Sequence, residues 1–197
     1  MILPIVAYGD PVLKRVAGEI DSDYPKLDEF IENMWETMYA SNGVGLAAPQ
    51  VGESIRLFVV DASPFAEDES YTEEEREQMS SFKKVFINPI IVEEEGNKWA
   101  FEEGCLSIPD IREEVFRQPK ILLNYLDENF EEHEEEFDGL IARVIQHEYD
   151  HIEGILFTDL LNPLRKRRLK KRLMNIAKGE IDVSYKMRFP LRKKAGV

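Results

Sequence analysis

The sequence has one cysteine, three histidines and no apolar run near the roughly 18 residues that a membrane-spanning helix needs. Cys105 stands alone, so no disulfide can close within the chain, and cysteine usage gives no support to an oxidising compartment. The opening MILPIVAYGD lacks both a basic stretch and a long apolar stretch, so neither secretion nor membrane insertion is signalled. The expectation is a cytoplasmic protein. With 43% hydrophobic and 10% aromatic residues the chain has the material for a core, which excludes a disordered or low-complexity chain despite 32% charge. Its 197 residues suit one domain with trimmings.

The net charge of -14 is unevenly spread. Residues 163–197 hold 13 Lys and Arg against two acids, Glu180 and Asp182, which leaves 12 basic and 37 acidic residues in 1–162. An acidic body with a strongly basic tail is expected to have two different kinds of partner. The division expected is therefore a catalytic unit over 1–162 and a basic C-terminal helix and tail over 163–197.

Residues 1–24 read as an irregular lead with turn chemistry at Gly9-Asp10-Pro11. Leu27, Phe30, Ile31, Met34 and Met38 recur at helical spacing and predict an amphipathic helix that ends before Asn42-Gly43. Ile55–Val60 is a strand candidate, and the acidic stretch after it, 62–81, is a solvated excursion with one short helix capped by Thr72 and Glu75. Short β-prone pieces come next at 85–87, 90–92, 99–101 and 121–125, separated by Asn-Pro, Gly-Asn and Gln-Pro breakers, as in an antiparallel arrangement. Asp138 is placed as the N-cap and Gly154 as the stop of a helix over 139–153. Asn162-Pro163 opens a last helix that closes near Gly179.

The strongest motif lies on the helix over 139–153: His147-Glu148-Tyr149-Asp150-His151, a His-Glu-x-x-His. Residues four apart share a helix face, so both imidazoles can reach one metal ion while Glu148 reaches the water bound to it. The third histidine, His133, sits among glutamates and reads as a surface residue. A hydrolytic site needs a third protein ligand and an open position. The longer motif with a third histidine meets Phe157 where that ligand would be, and Asp159 is the single acid between Gly154 and Gly179. An upstream ligand is therefore required, and Cys105 is the nominee, because thiolate is a good donor to zinc or ferrous iron. A buried cysteine as inert packing is the ordinary alternative. Gly104 before it and the lack of another ligand favour the metal.

Gly43-Val44-Gly45-Leu46-Ala47-Ala48-Pro49-Gln50-Val51-Gly52 contains a G-x-G-x-x-A pattern. Dinucleotide binding requires a strand before the glycines and a helix after them, whereas here a helix precedes and Pro49 interrupts any helix beyond. A small-residue loop whose backbone pairs with an extended ligand fits better.

With GVGLAAPQVG, EGCLSIP and QHEYDHIEG in this order, the sequence resembles the peptide deformylases, which remove the formyl group from formyl-methionine at the start of new chains. The resemblance runs from the opening residues to about Asn162 and implies a role for each matching residue. Cys105, His147 and His151 would bind one divalent metal ion, with Fe(II) foremost and Zn, Ni or Co as substitutes. Glu148 would be the general acid/base, and Gln50 and the backbone N–H of Leu106 would hold the formyl oxygen. Val44, Phe101, Leu140 and Val144 match the family's methionine pocket. Gly45 and Gly104 match the edges that clasp the substrate main chain. Arg143 stands where an aliphatic rim residue is expected.

The expected fold is α+β, with short antiparallel β-sheets packed around a central metal-binding helix and a C-terminal helix. Within the last helix, Leu169, Leu173 and Ile176 form a narrow apolar stripe. Either that stripe docks on the body and the charges are solvated, or the cations meet ribosomal RNA phosphates, as the nascent-peptide substrate suggests. Two other readings compete with the metallo-amidase. One is a non-catalytic ribosome- or RNA-binding module with a structural metal; the other is a general endopeptidase.

Overall fold

A computed structural model describes residues 1–191. Arg192, Lys193 and Lys194 of the basic tail lie outside the described residues. The chain opens with β1 (Ile5–Val6) and a 3-10 turn at Pro11–Lys14, whose first free N–H groups Asp10 caps through Val12 N (3.0 Å). Helix α1 (Leu27–Ala40) follows the expected stripe, with Leu27, Ile31, Met34 and Met38 buried. Strand β2 (Gly45–Ala47) leads through the 3-10 turn Ala48–Val51 to β3 (Leu57–Asp61). The acidic excursion contains α2 (Glu73–Ser80), closed by the reciprocal Thr72–Glu75 capping box.

The β-rich middle is more continuous than the breakers suggest. β4 (Lys83–Glu95) runs through Asn88-Pro89 as one strand, with a register shift between Ile87 and Ile90. Proline lacks an N–H for the ladder, and the bulge supplies a place where none is needed. Asn88 turns there with φ 49°, and its side-chain amide is held on both sides by Ile20, accepting from the N–H (3.0 Å) and donating to the carbonyl (2.7 Å). β5 (Trp99–Cys105) is followed by β6 (Ile108–Arg117), β7 (Lys120–Leu126) and β8 (Glu132–Asp138). β6 and β8 are absent from the sequence expectation, because their acidic residues hide the alternation. β8 is an edge strand whose carboxylates pair with neighbouring cations on both faces, Glu135 with Lys84 (2.6 Å) and Glu136 with Lys120 (2.8 Å). His133, expected at the surface, is half-buried on this strand, where it stacks on Tyr125 and meets Asp127.

The architecture is α+β. A five-stranded antiparallel sheet has the order β2-β3-β4-β7-β8, and β5 and β6 form a separate hairpin. Helix α3 (Gly139–Ile152) lies on that sheet through Ala142, Val144, Ile145 and Ile152, against Phe58, Phe86 and Leu123. Asp138 makes no side-chain cap bond to α3, unlike the N-cap expected, while Gly154 ends it at φ 72°. Helix α4 (Pro163–Lys178) is capped by Asn162, whose Oδ1 accepts from Arg165 N (2.9 Å). Leu169, Leu173 and Ile176 dock on Ile108, Ile111 and Val115 of β6. Past Gly179 the chain returns to the body, and β9 (Met187–Arg188) pairs in parallel with β1.

Candidate active site

Two elements bring the donors together. On α3 the i, i+4 spacing sets His147 and His151 on one face, with ring centroids 5.1 Å apart. Opposite them the β5–β6 hairpin turns at Leu106-Ser107, and a register shift between Gly104 and Cys105 aims the thiol at α3. Cys105 Sγ is 3.3 Å from His151 Nε2, and one donor atom from each of Cys105, His147 and His151 lies within 4.8 Å of the others. Donors that each bind an ion at about 2.0–2.3 Å must stand about this close together, so the three side chains fit one metal ion.

Glu103 prepares the donor set and was not foreseen from the sequence, although it stands next to Gly104 in the same motif. It is buried and accepts from Arg117 Nε (2.7 Å), Arg117 Nη2 (3.0 Å), Arg143 Nη1 (3.0 Å) and His147 Nδ1 (2.9 Å). Burial alone would raise its pKa, but the hydrogen bonds from His147 and Arg117 hold Glu103 well below the usual carboxylate range. An ionised Glu103 makes Nδ1 the protonated nitrogen of His147 and leaves Nε2 free as a donor to a metal. Arg117 also meets Asp150 on the motif helix (2.8 Å). Nothing in the sequence marks Arg117 for this role. Arg143 is buried too, reaching the carbonyls of Trp99 (2.8 Å) and Val115 (3.1 Å), so it braces the hairpin against α3.

Glu148 points into the space in front of the donors. It is 4% exposed, and Oε2 has no hydrogen-bond partner among the described residues. Burial pushes its pKa up to about 7, against the pull of His147 and with the push of Glu103 and Asp150. Gln50 is held with its carbonyl on Ala47 N (2.8 Å), so its NH2 is directed at Cys105 Sγ (3.4 Å) and Ser107 Oγ (3.5 Å). A side-chain amide fixed at one end and donating at the other is suited to hold an anionic oxygen.

A cavity of about 660 Å³ opens over these groups. Val44, Gly45, Phe101, Gly104, Leu106 and Val144 line it, as do Gln50, Cys105, His147 and Glu148. Leu140 does not: it is buried with Ala62 and Met79, behind Phe101. It shares the face of Val144 but lies one turn nearer the start of α3, where Ala62 and Met79 cover it, so the expected pocket position becomes core. Tyr185, from the segment after α4, lines the cavity and was also not foreseen.

An α+β domain with a His-Glu-x-x-His helix, a cysteine at a hairpin end and a buried carboxylate between them has the side chains of a hydrolase with a single-metal centre. The model of the polypeptide deformylase family matches residues 2–167. A peptide deformylase of Christiangramia forsetii is 64% identical over 195 residues, covering 99% of this chain and all of that protein. One of Flavobacterium johnsoniae is 57% identical over 194 residues, covering 98% and 99%. Among solved structures, the peptide deformylase of Thermus thermophilus superposes with a TM-score of 0.76 at 40% identity, covering 89% of this chain and 98% of that one. That of Legionella pneumophila gives 0.75 at 34%, covering 91% and 98%. The chain belongs to the peptide deformylase family of enzymes.

Proposed function

We propose that this enzyme removes the formyl group from the N-terminal formyl-methionine of nascent polypeptides, using one divalent ion held by Cys105, His147 and His151. The observation that carries the reading is the unpartnered Oε2 of buried Glu148 in the same cavity as the three donors. Bound there, an ion (Fe(II) foremost, with Zn, Ni or Co as substitutes) supplies Lewis acidity that activates water and polarises the formyl oxygen. Glu148 takes the proton released as water attacks and hands it to the departing amine, a task suited to a carboxylate tuned near neutrality. Gln50 and the N–H of Leu106 donate to the formyl oxygen as negative charge develops on it.

Val44, Phe101 and Val144 line the slot for the methionine side chain. β2 is the edge strand of its sheet, so the backbone at Gly45 can pair with an extended substrate, with Gly104 on the facing hairpin. A non-catalytic module with a structural metal would close the fourth position and have no use for a buried base. The cytoplasm, where new chains emerge, is the compartment this reading calls for. The exposed Lys166, Arg167, Lys170 and Lys171 of α4 are the contact we propose for ribosomal RNA phosphates, whereas Arg165 is already engaged by Glu113 (3.0 Å).

The test is amine release from a formyl-Met tripeptide by protein purified without oxygen, beside Glu148→Ala. Rapid release that collapses in the variant, with metal retained, supports reaction and base together; no release from fully metallated protein overturns both.

A further inference from the structure

The segment after α4 carries a pattern that charge alone conceals. From Ile181 to Phe189 the odd-numbered residues, Ile181, Val183, Tyr185, Met187 and Phe189, are half-buried, while the even-numbered ones are exposed. Such alternation lays one side of an extended strap against the body. The strap is fastened to the N-terminal strand: Ile5 N donates to Lys186 O and Ala7 N to Arg188 O, both at 2.9 Å, and Arg188 meets Asp10 at 3.5 Å. Immediately before this fastening, the Tyr185 hydroxyl enters the cavity and donates to the carbonyl of Leu106 at 2.7 Å.

Leu106 belongs to the two-residue turn between Cys105 and Ile108. So short a turn has few internal bonds and is held from outside. Tyr8 N donates to Ser107 O (2.9 Å), and Gln50 reaches Ser107 Oγ (3.5 Å). Among the described residues, the Tyr185 bond is the one that holds Leu106 by its own backbone. The N–H and carbonyl of Leu106 share one Cα, so a rocking of the turn about the Cys105–Ile108 pair swings both. Catalysis by preorganised donors is sensitive to such displacement.

We propose that Tyr185 is a positioning residue for the deformylation, setting the Leu106 peptide through its carbonyl so that the N–H meets the formyl oxygen. This rests on the function proposed above. The C-terminal strap thereby completes the reaction centre from the far end of the chain.

The test compares zinc-loaded wild type, Tyr185→Phe and Arg188→Ala, the last of which removes the exposed side-chain contact with Asp10 and keeps both the strap's backbone pairing with β1 and the hydroxyl. Expected for Tyr185→Phe is a kcat lower by about 5- to 10-fold with KM nearly unchanged, the size of one neutral hydrogen bond. Amide hydrogen exchange at Leu106 should become faster, with metal content and Tm near wild type. Arg188→Ala should keep wild-type kcat. Unaltered kcat and Leu106 exchange in Tyr185→Phe overturn the proposal, as does a kcat loss matched by loss of metal or reproduced by Arg188→Ala. Wild-type protein that releases no amine would instead sink the deformylase reading itself, and this inference with it.

Discussion

A Cβ placed on Gly45 would lie 2.5 Å from Glu148 Oε1 and 2.8 Å from its Cδ, so the edge strand and the carboxylate are packed together at a spacing that only glycine allows. Gly45 is therefore required for Glu148 to occupy its place, quite apart from any contact with substrate. Gly45→Ala is expected to push the carboxylate out of line and lower kcat by about 100-fold, the cost of a misplacement near 1 Å. Steady-state kinetics on a formyl-Met tripeptide check this, and thermal unfolding should show a loss of comparable size, about 1–3 kcal/mol from overpacking.

Glu148→Gln keeps the shape and removes the base. The expected fall in kcat is about 100- to 10,000-fold, the usual contribution of general acid–base catalysis. Metal analysis beside the assay should find the ion retained, because the proposed donors are Cys105, His147 and His151; loss of the ion with the activity would mean that Glu148 is itself a ligand.

Glu103→Gln removes the charge that gathers Arg117, Arg143 and His147. Metal affinity should fall about 10- to 100-fold, as when outer partners of a ligand histidine are lost. Leaving two guanidinium groups short of a buried partner should cost about 3 kcal/mol in stability. Competition with a chelator and denaturant titration separate the two effects. An unchanged metal affinity would make Glu103 a purely structural bridge.

The proposed ribosome contact is best examined with charge reversal at Lys166, Arg167, Lys170 and Lys171. Deleting the segment would also expose the face that Leu169, Leu173 and Ile176 cover and would remove Tyr185. Sedimentation with ribosomes should show binding in the wild type that weakens steeply with salt, and little in the reversed variant. Binding that ignores salt would refute the electrostatic contact.

Much of this was legible because the relevant physics is local. Helical spacing in α1, α3 and α4, the Thr72–Glu75 box and the Asn162-Pro163 start all depend on neighbours a few residues apart. So does the pairing of His147 with His151, and elimination among a few metal-binding residues then pointed to Cys105. β6 and β8 were not legible, since their acidic residues become strand residues only when partners stand beside them, Arg165 for β6 and Lys84 and Lys120 for β8. Leu140 falls outside the cavity for a related reason: it shares a face of α3 with Val144 and His147, but the sequence does not say how far along that face the cavity reaches.

By itself, then, the sequence determined the helix with its two histidines and glutamate, the residue types that could hold a metal ion and the split between acidic body and basic tail. Only the tertiary structure decided that Glu103 fixes the tautomer of His147, that Gly45 makes room for Glu148 and that Tyr185 reaches Leu106. These are contacts across 44, 103 and 79 positions. The physical reason is range: propensity, capping and periodicity act within a few turns of chain, whereas a buried carboxylate or a hydroxyl finds its partner only after packing has closed the distance.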